Sequence, residues 1–200
     1  MNEKKKTIMT TAVKLFAKKG FNNTSIQEIA DGSGISKGAF YLHFRSKEQL
    51  VLSTFQYYAD RLQQKMSTIE QTNQSPRQKL TRQLEMQLEE ILAHKEVIVM
   101  QFREQVLYMN KDIEQFFREQ NEVRKQWHET RFISLYGERV RPYLPDLSQL
   151  FDGMLNAYLK YHIKNDLQLN PHELAFFLVR RLDDIVSGML TSNEKPLLTE

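Results

Sequence analysis

Apolar residues recur at intervals of three and four positions along most of this 200-residue chain, and that spacing places them on one face of an α-helix. The longest run consists of Val51, Phe55, Tyr58, Leu62, Met66 and Ile69. No segment shows the alternation of a half-buried strand, and the chain has no internal repeat. The pattern predicts an all-α fold of about nine helices.

Three short helices are predicted at the start of the chain. The first ends at Gly20, and Thr24 or Ser25 caps the second. Residues 32–34, Gly-Ser-Gly, are unfavourable inside a helix and predict a tight turn. A third helix is predicted over residues 36–44.

Longer helices follow this turn. A capping box over residues 46–49 opens the fourth, and Ser75-Pro76 opens the fifth. The remaining helices are predicted at roughly 96–109, 112–137, 147–165 and 171–190, with a break near Pro142 and Pro145.

The net charge of the chain is unevenly distributed. Residues 1–50 hold nine lysines and arginines against four acidic residues, a net charge of +5. The remaining residues hold 19 basic against 21 acidic side chains, a net charge of −2. A basic segment on a slightly acidic body indicates contact with a polyanion, although a lysine-rich solvated terminus is the plain alternative.

Composition and spacing argue against other classes of protein. The absence of cysteine excludes a disulfide framework, a thiol nucleophile and a thiolate zinc site, and it fits the cytoplasm. The five histidines lack metal-site spacing, and neither a phosphate-binding glycine loop nor a serine elbow is present. No apolar run approaches the roughly 18 residues of a membrane-spanning helix, and lysines interrupt any signal-peptide core. We therefore expect no enzyme, no membrane or exported protein, and no cofactor or metal.

Two short helices joined by a glycine-containing turn, behind a supporting amphipathic helix, form the pattern of a helix-turn-helix. The third helix is then the element that enters the major groove of DNA. Its start, Ser36, Lys37, Gly38 and Ala39, is expected to face base edges. Lys37 would donate to guanine, the Ala39 methyl would meet a thymine methyl, and Gly38 would let the backbone approach.

Phosphate contacts are expected from residues that flank this reading helix. Thr24 and Ser25 stand at the start of the second helix, where free N–H groups attract anions. Tyr41, His43 and Lys47 follow on the far side. Thr24 and Ser25 are also candidates for plain capping, and Tyr41 for the core.

Residues 8–50 resemble the DNA-binding domain of the tetracycline-repressor (TetR) family of regulators. The matching residues are Leu15-Phe16, Gly20, Thr24, Ile29-Ala30, Gly34-Ile35-Ser36, Gly38, Tyr41, Phe44, Ser46-Lys47 and Leu50. Three positions depart from the family pattern: Ser33 stands in place of Ala, Ala39 in place of Thr, and His43 in place of Tyr. So many matches in one register form a specific signal.

The resemblance implies a DNA-binding domain over residues 1–50, linked by the fourth helix, from about residue 46, to an effector-binding and dimerisation domain over residues 51–200. It implies a homodimeric repressor that binds a palindromic DNA operator and is released by a ligand. Family members dimerise through their last two long helices. The candidate interface residues are Leu150, Met154, Tyr158, Leu182, Ile185, Val186 and Met189. The alternative explanation for these apolar residues is a large hydrophobic core within a monomer.

The resemblance also implies an effector pocket between the fourth and seventh helices. Methionine and aromatic side chains are dense there and suit a small apolar or amphipathic effector. The candidate residues are Met86, Met100, Phe102, Gln105, Tyr108, Met109, Phe117, Trp127 and His128. In the implied mechanism the ligand wedges the helices of the body, and the fourth helix acts as a lever that swings the DNA-binding domains apart. Such side chains are also typical of plain core, and a DNA-binding protein without an effector is the rival interpretation.

Overall fold

A computed structural model describes residues 2–101, 110–165, 167–192 and 194–198 of the chain. Within these ranges the α-helices are α1 Glu3–Lys19, α2 Ile26–Gly32, α3 Lys37–Tyr41, α4 Lys47–Glu70, α5 Pro76–Ala93, α6 Lys95–Gln101, α7 Lys111–Tyr136, α8 Leu144–Asn165 and α9 Pro171–Thr191. A 3-10 helix, Glu138–Tyr143, joins α7 to α8, and the same ranges contain no strand. The all-α prediction is confirmed. Among the described helices, none combines the length and apolar character that a membrane crossing requires.

The chain divides into two compact units. Unit 1 is Met1–Gln63 with Ile91–Glu119, and unit 2 is Gln64–Glu90 with Gln120–Glu200. Unit 1 therefore holds the three short helices together with the first part of α4, α6 and the start of α7. This division by packing differs from the predicted boundary at residue 50, because α6 packs directly against α1.

Capping residues begin the short helices of unit 1 at the predicted places. The Ser25 hydroxyl accepts a hydrogen bond from the Glu28 amide at 3.2 Å, and the Ser36 hydroxyl accepts one from the Ala39 amide at 3.1 Å. At the other end of α1, the Gly20 amide donates to the Phe16 carbonyl at 2.9 Å. These local bonds satisfy amides and carbonyls that a helix leaves free at its ends.

Two glycines shape the turn between α2 and α3. A Cβ atom at Gly32 would lie only 2.9 Å from Cγ2 of Thr11, so glycine permits the close contact of α2 with α1. Gly34 has a φ of +67°, in the left-handed region that glycine adopts without strain. The turn thus requires a glycine at both predicted positions, for different reasons.

Helix α3 is shorter than predicted. It ends at Tyr41 instead of residue 44, because the Leu42 amide bonds back three residues to the Ala39 carbonyl at 3.2 Å. This tighter bonding is common in a last turn. The Phe44 amide still donates to the Phe40 carbonyl at 3.0 Å, so the chain continues on a helical course for one further turn.

The core of unit 1 joins the three short helices to α4, α6 and α7. Its buried residues are Ile8, Met9, Ala12, Val13, Phe16, Ile29, Ala30, Phe40, Phe44, Leu50, Val51, Phe55, Val97, Met100, Ile113 and Phe116.

The start of α8 in unit 2 differs from the prediction. Pro145 lies in its first turn instead of ending a helix, a position where a missing N–H costs nothing.

His128 lies in the core of unit 2. Its ring stacks on Phe132 at 5.1 Å and meets Phe151 edge-on at 5.7 Å between centroids. Burial lowers the pKa of His128 to about 4, and the charge of Arg124 adds to this effect. The Asp152 carboxylate lies 3.5 Å from Nε2 of His128, but it is already paired with Arg124 at 2.8 Å. His128 is therefore neutral at pH 7.

The neutral state of His128 predicts a loss of stability in acid. The unfolded chain takes up this proton near pH 6.5, whereas the folded chain resists protonation until about pH 4. The stabilisation is complete above pH 6.5 and falls as the pH drops toward 4, by about 3 kcal/mol in total. Urea unfolding of wild type and His128→Gln across this range should show the steeper pH dependence in the wild type. Equal slopes would contradict the assignment.

Candidate nucleic-acid interface

Helices α2 and α3 pack on each other across the glycine turn. The Ser33 amide donates to the carbonyls of Ile29 and Ala30, each at 3.0 Å, and the Ile35 amide donates to the Ala30 carbonyl at 3.1 Å. Ile29 and Ala30 are fully buried. These contacts hold α3 at a defined position relative to α2, as a helix-turn-helix requires.

Helix α3 has one buried and one exposed side. Phe40 is fully buried and Phe44 is 2% exposed, so both attach this segment to the core. The predicted base-contacting residues lie at its start, where Ser36, Lys37 and Gly38 are exposed and Ala39 is half-buried. The structure thus brings the four residues together on one accessible surface.

The end of α3 adds a second exposed group. Tyr41 is 48% exposed, and its ring meets Phe40 edge-on at 5.6 Å. Leu42 is 84% exposed and His43 is half-buried. Leu42 was not among the predicted contact residues. Its spacing of two positions from both Phe40 and Phe44 is nevertheless a signal in the sequence, because residues two apart point to opposite sides of a helical segment.

Two residues that were predicted to contact phosphate instead hold the connector between α1 and α2. Thr24 is 1% exposed, and its hydroxyl donates to the Gly20 carbonyl at 2.8 Å. The Lys47 ammonium donates to the carbonyls of Phe21 at 2.9 Å and Thr24 at 2.7 Å. It also lies 4.3 Å from the centroid of the Phe21 ring. The prediction for Thr24 is corrected, because its hydroxyl is buried and bonded inside unit 1. The Lys47 ammonium has three N–H groups and uses two of them here, so its phosphate contact stays a prediction.

Ser25 has an anion as its neighbour. Its hydroxyl donates to the Glu28 carboxylate at 2.9 Å, and Lys19 forms an ion pair with the same carboxylate. The contacts with Lys19 and Ser25 lower the pKa of Glu28 to about 2. A permanent negative charge beside this hydroxyl opposes a phosphate there. The phosphate contact of Ser25 stays a prediction.

Basic residues of α1 approach the end of the α3 segment. The Lys5 ammonium lies 5.7 Å from the centroid of the Phe44 ring, and Lys4 and Lys6 beside it are exposed. The excess positive charge of residues 1–50 is therefore partly displayed next to the exposed residues of α3.

The predicted effector residues do not share one compact unit. Met100 is 1% exposed in the core of unit 1, and the Phe117 ring lies 5.0 Å from the Phe55 ring in that unit. Core packing accounts for both side chains, and their place in an effector pocket stays a prediction. Met86, Trp127 and His128 belong to unit 2. Phe102, Gln105, Tyr108 and Met109 lie outside the described residues.

The predicted dimer residues fall into two groups. Leu182 and Val186 are 0% and 3% exposed in the single chain, so they pack inside unit 2 and the prediction that they meet a partner is wrong. They lie on the inward stripe of α9, which sequence alone could not distinguish from an outward one. The remaining candidates have exposed surface: Leu150 and Tyr158 are exposed, and Met154, Ile185 and Met189 are half-buried.

Unit 2 contains a set of buried polar residues that were not predicted from the sequence. Gln83 is 1% exposed, Glu90 7% and Arg131 8%. No local signal marks such residues, because polar side chains on an amphipathic helix are normally assigned to its solvent side. Their partners come from other helices.

The position of Lys47 predicts that it stabilises unit 1 even without DNA. Lys47→Met removes two hydrogen bonds from a charged donor and should lower the free energy of unfolding by about 1–3 kcal/mol. Lys14→Met, at an exposed position of α1, is the matched control and should change it little. Urea unfolding measures both. A Lys47→Met protein as stable as the control would contradict this stabilising role of Lys47.

Comparison with known proteins is consistent with this geometry. Residues 8–54 match the model of bacterial regulatory proteins of the tetR family. The chain is 40% identical over 199 residues to the uncharacterized HTH-type transcriptional regulator YuxN of Bacillus subtilis (strain 168), an alignment that covers 100% of this chain and 68% of YuxN. It is 34% identical over 123 residues to the HTH-type transcriptional repressor KstR2 of Mycolicibacterium smegmatis, covering 60% of this chain and 59% of KstR2.

The fold is similar to the crystal structure of the transcriptional regulator FadR from Bacillus subtilis in complex with stearoyl-CoA. The TM-score is 0.73 at 16% identity, over 88% of this chain and 96% of that one, so this likeness concerns the fold alone. The sequence relatives are regulators of transcription and not enzymes. This chain is a transcriptional regulator that belongs to the tetR family of bacterial regulatory proteins.

Proposed function

We propose that this regulator binds double-stranded DNA by placing the start of α3 in the major groove. The observation that carries the proposal is Gly38. A Cβ atom there would meet only the Ser36 hydroxyl, at 3.9 Å, so the fold has room for a side chain. Glycine is nevertheless an unfavourable residue inside a helix. The packing of the protein gives no reason for glycine at this position, whereas a close approach of α3 to the groove does.

Other exposed residues of the α3 segment extend this contact. Lys37 is placed to donate to guanine, and Leu42 offers an apolar contact for a thymine methyl. The Tyr41 hydroxyl and the His43 ring are proposed to contact phosphates, together with Lys5. Because genomic DNA is the proposed partner, the protein would act in the bacterial cytoplasm.

We further propose a homodimer that uses outward faces of α8 and α9. Leu150, Tyr158 and Tyr161 are 44%, 37% and 60% exposed and follow one side of α8 at helical spacing. Gly153 lies on the same side, and Gly188 lies on α9. A Cβ atom at either glycine would meet nothing within 4 Å. Glycine inside a helix costs about 0.5–1 kcal/mol relative to alanine, and close packing against a second copy accounts for both positions.

The proposed mode of action is a repressor that an effector releases from a palindromic operator. A two-fold dimer must hold its reading helices about 34–36 Å apart to enter successive major grooves. A ligand that changes this spacing through α4 would therefore weaken binding. KstR2 is named a repressor, which supports repression. The FadR structure holds stearoyl-CoA, which supports a small apolar or amphipathic effector as the class to test first.

Gly38→Ala separates DNA contact from folding, because its two effects have opposite signs. The free energy of unfolding should rise by up to about 1 kcal/mol, whereas operator affinity should fall by about tenfold, since a methyl group meets the groove. The operator is first selected from random DNA by the wild-type protein. Fluorescence anisotropy on that operator then gives the affinities of the variants.

Lys37→Gln is the companion variant, with Lys14→Gln as its exposed control. Lys37→Gln should leave stability unchanged and relax the preference for one base, whereas Lys14→Gln should leave the selected sequence unaltered. Wild-type operator affinity in Gly38→Ala would contradict the placement of α3. If the wild-type protein selects no sequence, the proposal of DNA binding fails as a whole.

The dimer face is tested with Gly188→Leu. The single chain has space for this side chain, so helix content should be kept, but two closely packed copies would clash and dissociate. Val123→Leu is the control, because Val123 is 50% exposed and belongs to α7 and not to α8 or α9. Analytical ultracentrifugation should find a dimer for the wild type and the control. A dimeric Gly188→Leu protein would exclude this face.

A further inference from the structure

Three helices of unit 2 meet at a cluster of polar groups that the proposed DNA contact does not use. We call it the polar cluster, and its residues are Met66 and Glu70 of α4, Lys79 and Gln83 of α5, and Trp127 and Arg131 of α7. Each helix contributes two residues that are four positions apart. Residues at this spacing lie one turn apart on the same helix face, so the cluster has two layers.

The first layer is a closed set of hydrogen bonds. Gln83 is 1% exposed, and its Nε2 donates to the Met66 carbonyl at 3.3 Å. The Trp127 Nε1–H donates to Oε1 of Gln83 at 3.3 Å. Both ends of the buried amide are therefore paired, and this layer is complete without a ligand.

The second layer is incomplete. Nη2 of Arg131 donates to the Glu70 carboxylate, whereas Nε of Arg131 is buried and has no hydrogen-bond partner among the described residues. The Lys79 ammonium donates to the Glu70 carbonyl at 2.7 Å and lies 3.8 Å from its carboxylate. Among the described residues of this layer, two cations thus face one carboxylate.

The partners in this layer differ in their access to water. The Arg131 side chain is 9% exposed, whereas that of Glu70 is 48% exposed. A buried guanidinium without an anion is strongly unfavourable, but a half-exposed carboxylate can move into water at little cost. Glu70 is therefore a replaceable partner, and Arg131 needs whatever anion replaces it.

We propose that Arg131, assisted by Lys79, is the anion-binding part of the effector site, and that Glu70 occupies it as an internal substitute. The ligand class is an amphipathic anion whose carboxylate or phosphate monoester takes the place of the Glu70 carboxylate, with its apolar part beside Trp127. A planar guanidinium with a free Nε–H can bind two oxygens of such a group. This inference rests on the proposed function, in which an effector controls operator binding.

Displacement of Glu70 has a direct consequence for α4. Glu70 is the last residue of that helix, and its contacts with Lys79 and Arg131 attach the final turn to α5 and α7. A bound anion leaves this turn without its carboxylate contacts. The same helix begins at Lys47, whose ammonium holds the connector between α1 and α2. The ligand would therefore act on the helix that the two units share.

Trp127 provides a reporter for the test, because it is the only tryptophan of the chain and lies one helical turn from Arg131. Its fluorescence is followed in the full-length protein during titration with octanoate, octyl phosphate or octanol, each at monomeric concentration. The variants are Arg131→Gln, Arg131→Lys and Glu70→Gln. Arg141→Gln is the matched control, since Arg141 is an exposed arginine of unit 2 that pairs with Glu129 and Glu138.

We expect saturable binding of at least one of the two anions, and the tighter one identifies the head group. Arg131→Gln should weaken that binding by about tenfold or more, and Arg131→Lys by less, because the charge is kept. Glu70→Gln should tighten it by about fivefold, since the internal competitor loses its charge. Octanol binding should be the same in all variants, and Arg141→Gln should match the wild type with every probe.

Binding of neither anion, or equal binding of octanol and the anions, would overturn the proposal. Weaker anion binding in Glu70→Gln would also overturn it, because Glu70 would then be a ligand contact or a structural lock and not a competitor. Operator selection by the wild-type protein is measured alongside. A protein that selects an operator but ignores these substitutions refutes only the anion site, whereas a protein that selects none refutes the proposed function.

Discussion

The burial of Phe40 is the constraint on which the exposed surface of α3 depends. Helix α3 has only five residues, and a helix of that length has no stability of its own in water. It exists because Phe40 is fully buried in the core of unit 1 and Phe44 follows one turn later at 2% exposure. Once this side is inside, Lys37, Gly38 and Leu42 must point outward. The exposed set is thus a consequence of core packing.

Polar contacts then position this short helix more precisely than apolar burial alone. Gly32 allows α2 to approach Thr11 of α1 closely. The Lys47 ammonium bonds the carbonyls of Phe21 and Thr24, which belong to the connector ahead of α2. A charged donor on two carbonyls is stronger and more directional than a neutral one. The base contacts proposed for α3 need that precision, because hydrogen bonds to base edges depend on distances within a few tenths of an ångström.

Unit 2 also contains an ionic contact that joins three of its helices. Arg77 of α5 donates to both carboxylate oxygens of Asp183 on α9, at 2.8 and 2.7 Å, and the Tyr136 hydroxyl of α7 donates to the same group at 2.9 Å. Burial acts to raise the pKa of Asp183, but these two partners outweigh it and the net shift is downward. This site is fully paired, unlike the Arg131 site. This contrast supports the interpretation that Nε of Arg131 is available to an anionic ligand.

The sequence by itself determined the features whose physical cause is local. Periodicity, capping and glycine signals placed the all-α fold, the starts of α2 and α3 at Ser25 and Ser36, and the turn at Gly34, because each depends on residues within about four positions. Only the tertiary structure decided which side of α9 is inward, that Lys47 serves the connector, that Met100 packs in unit 1, and that Glu70 and Arg131 form a pair. Those facts depend on contacts between residues far apart in the chain. An amphipathic pattern predicts that a residue is buried but does not identify the residue that it contacts.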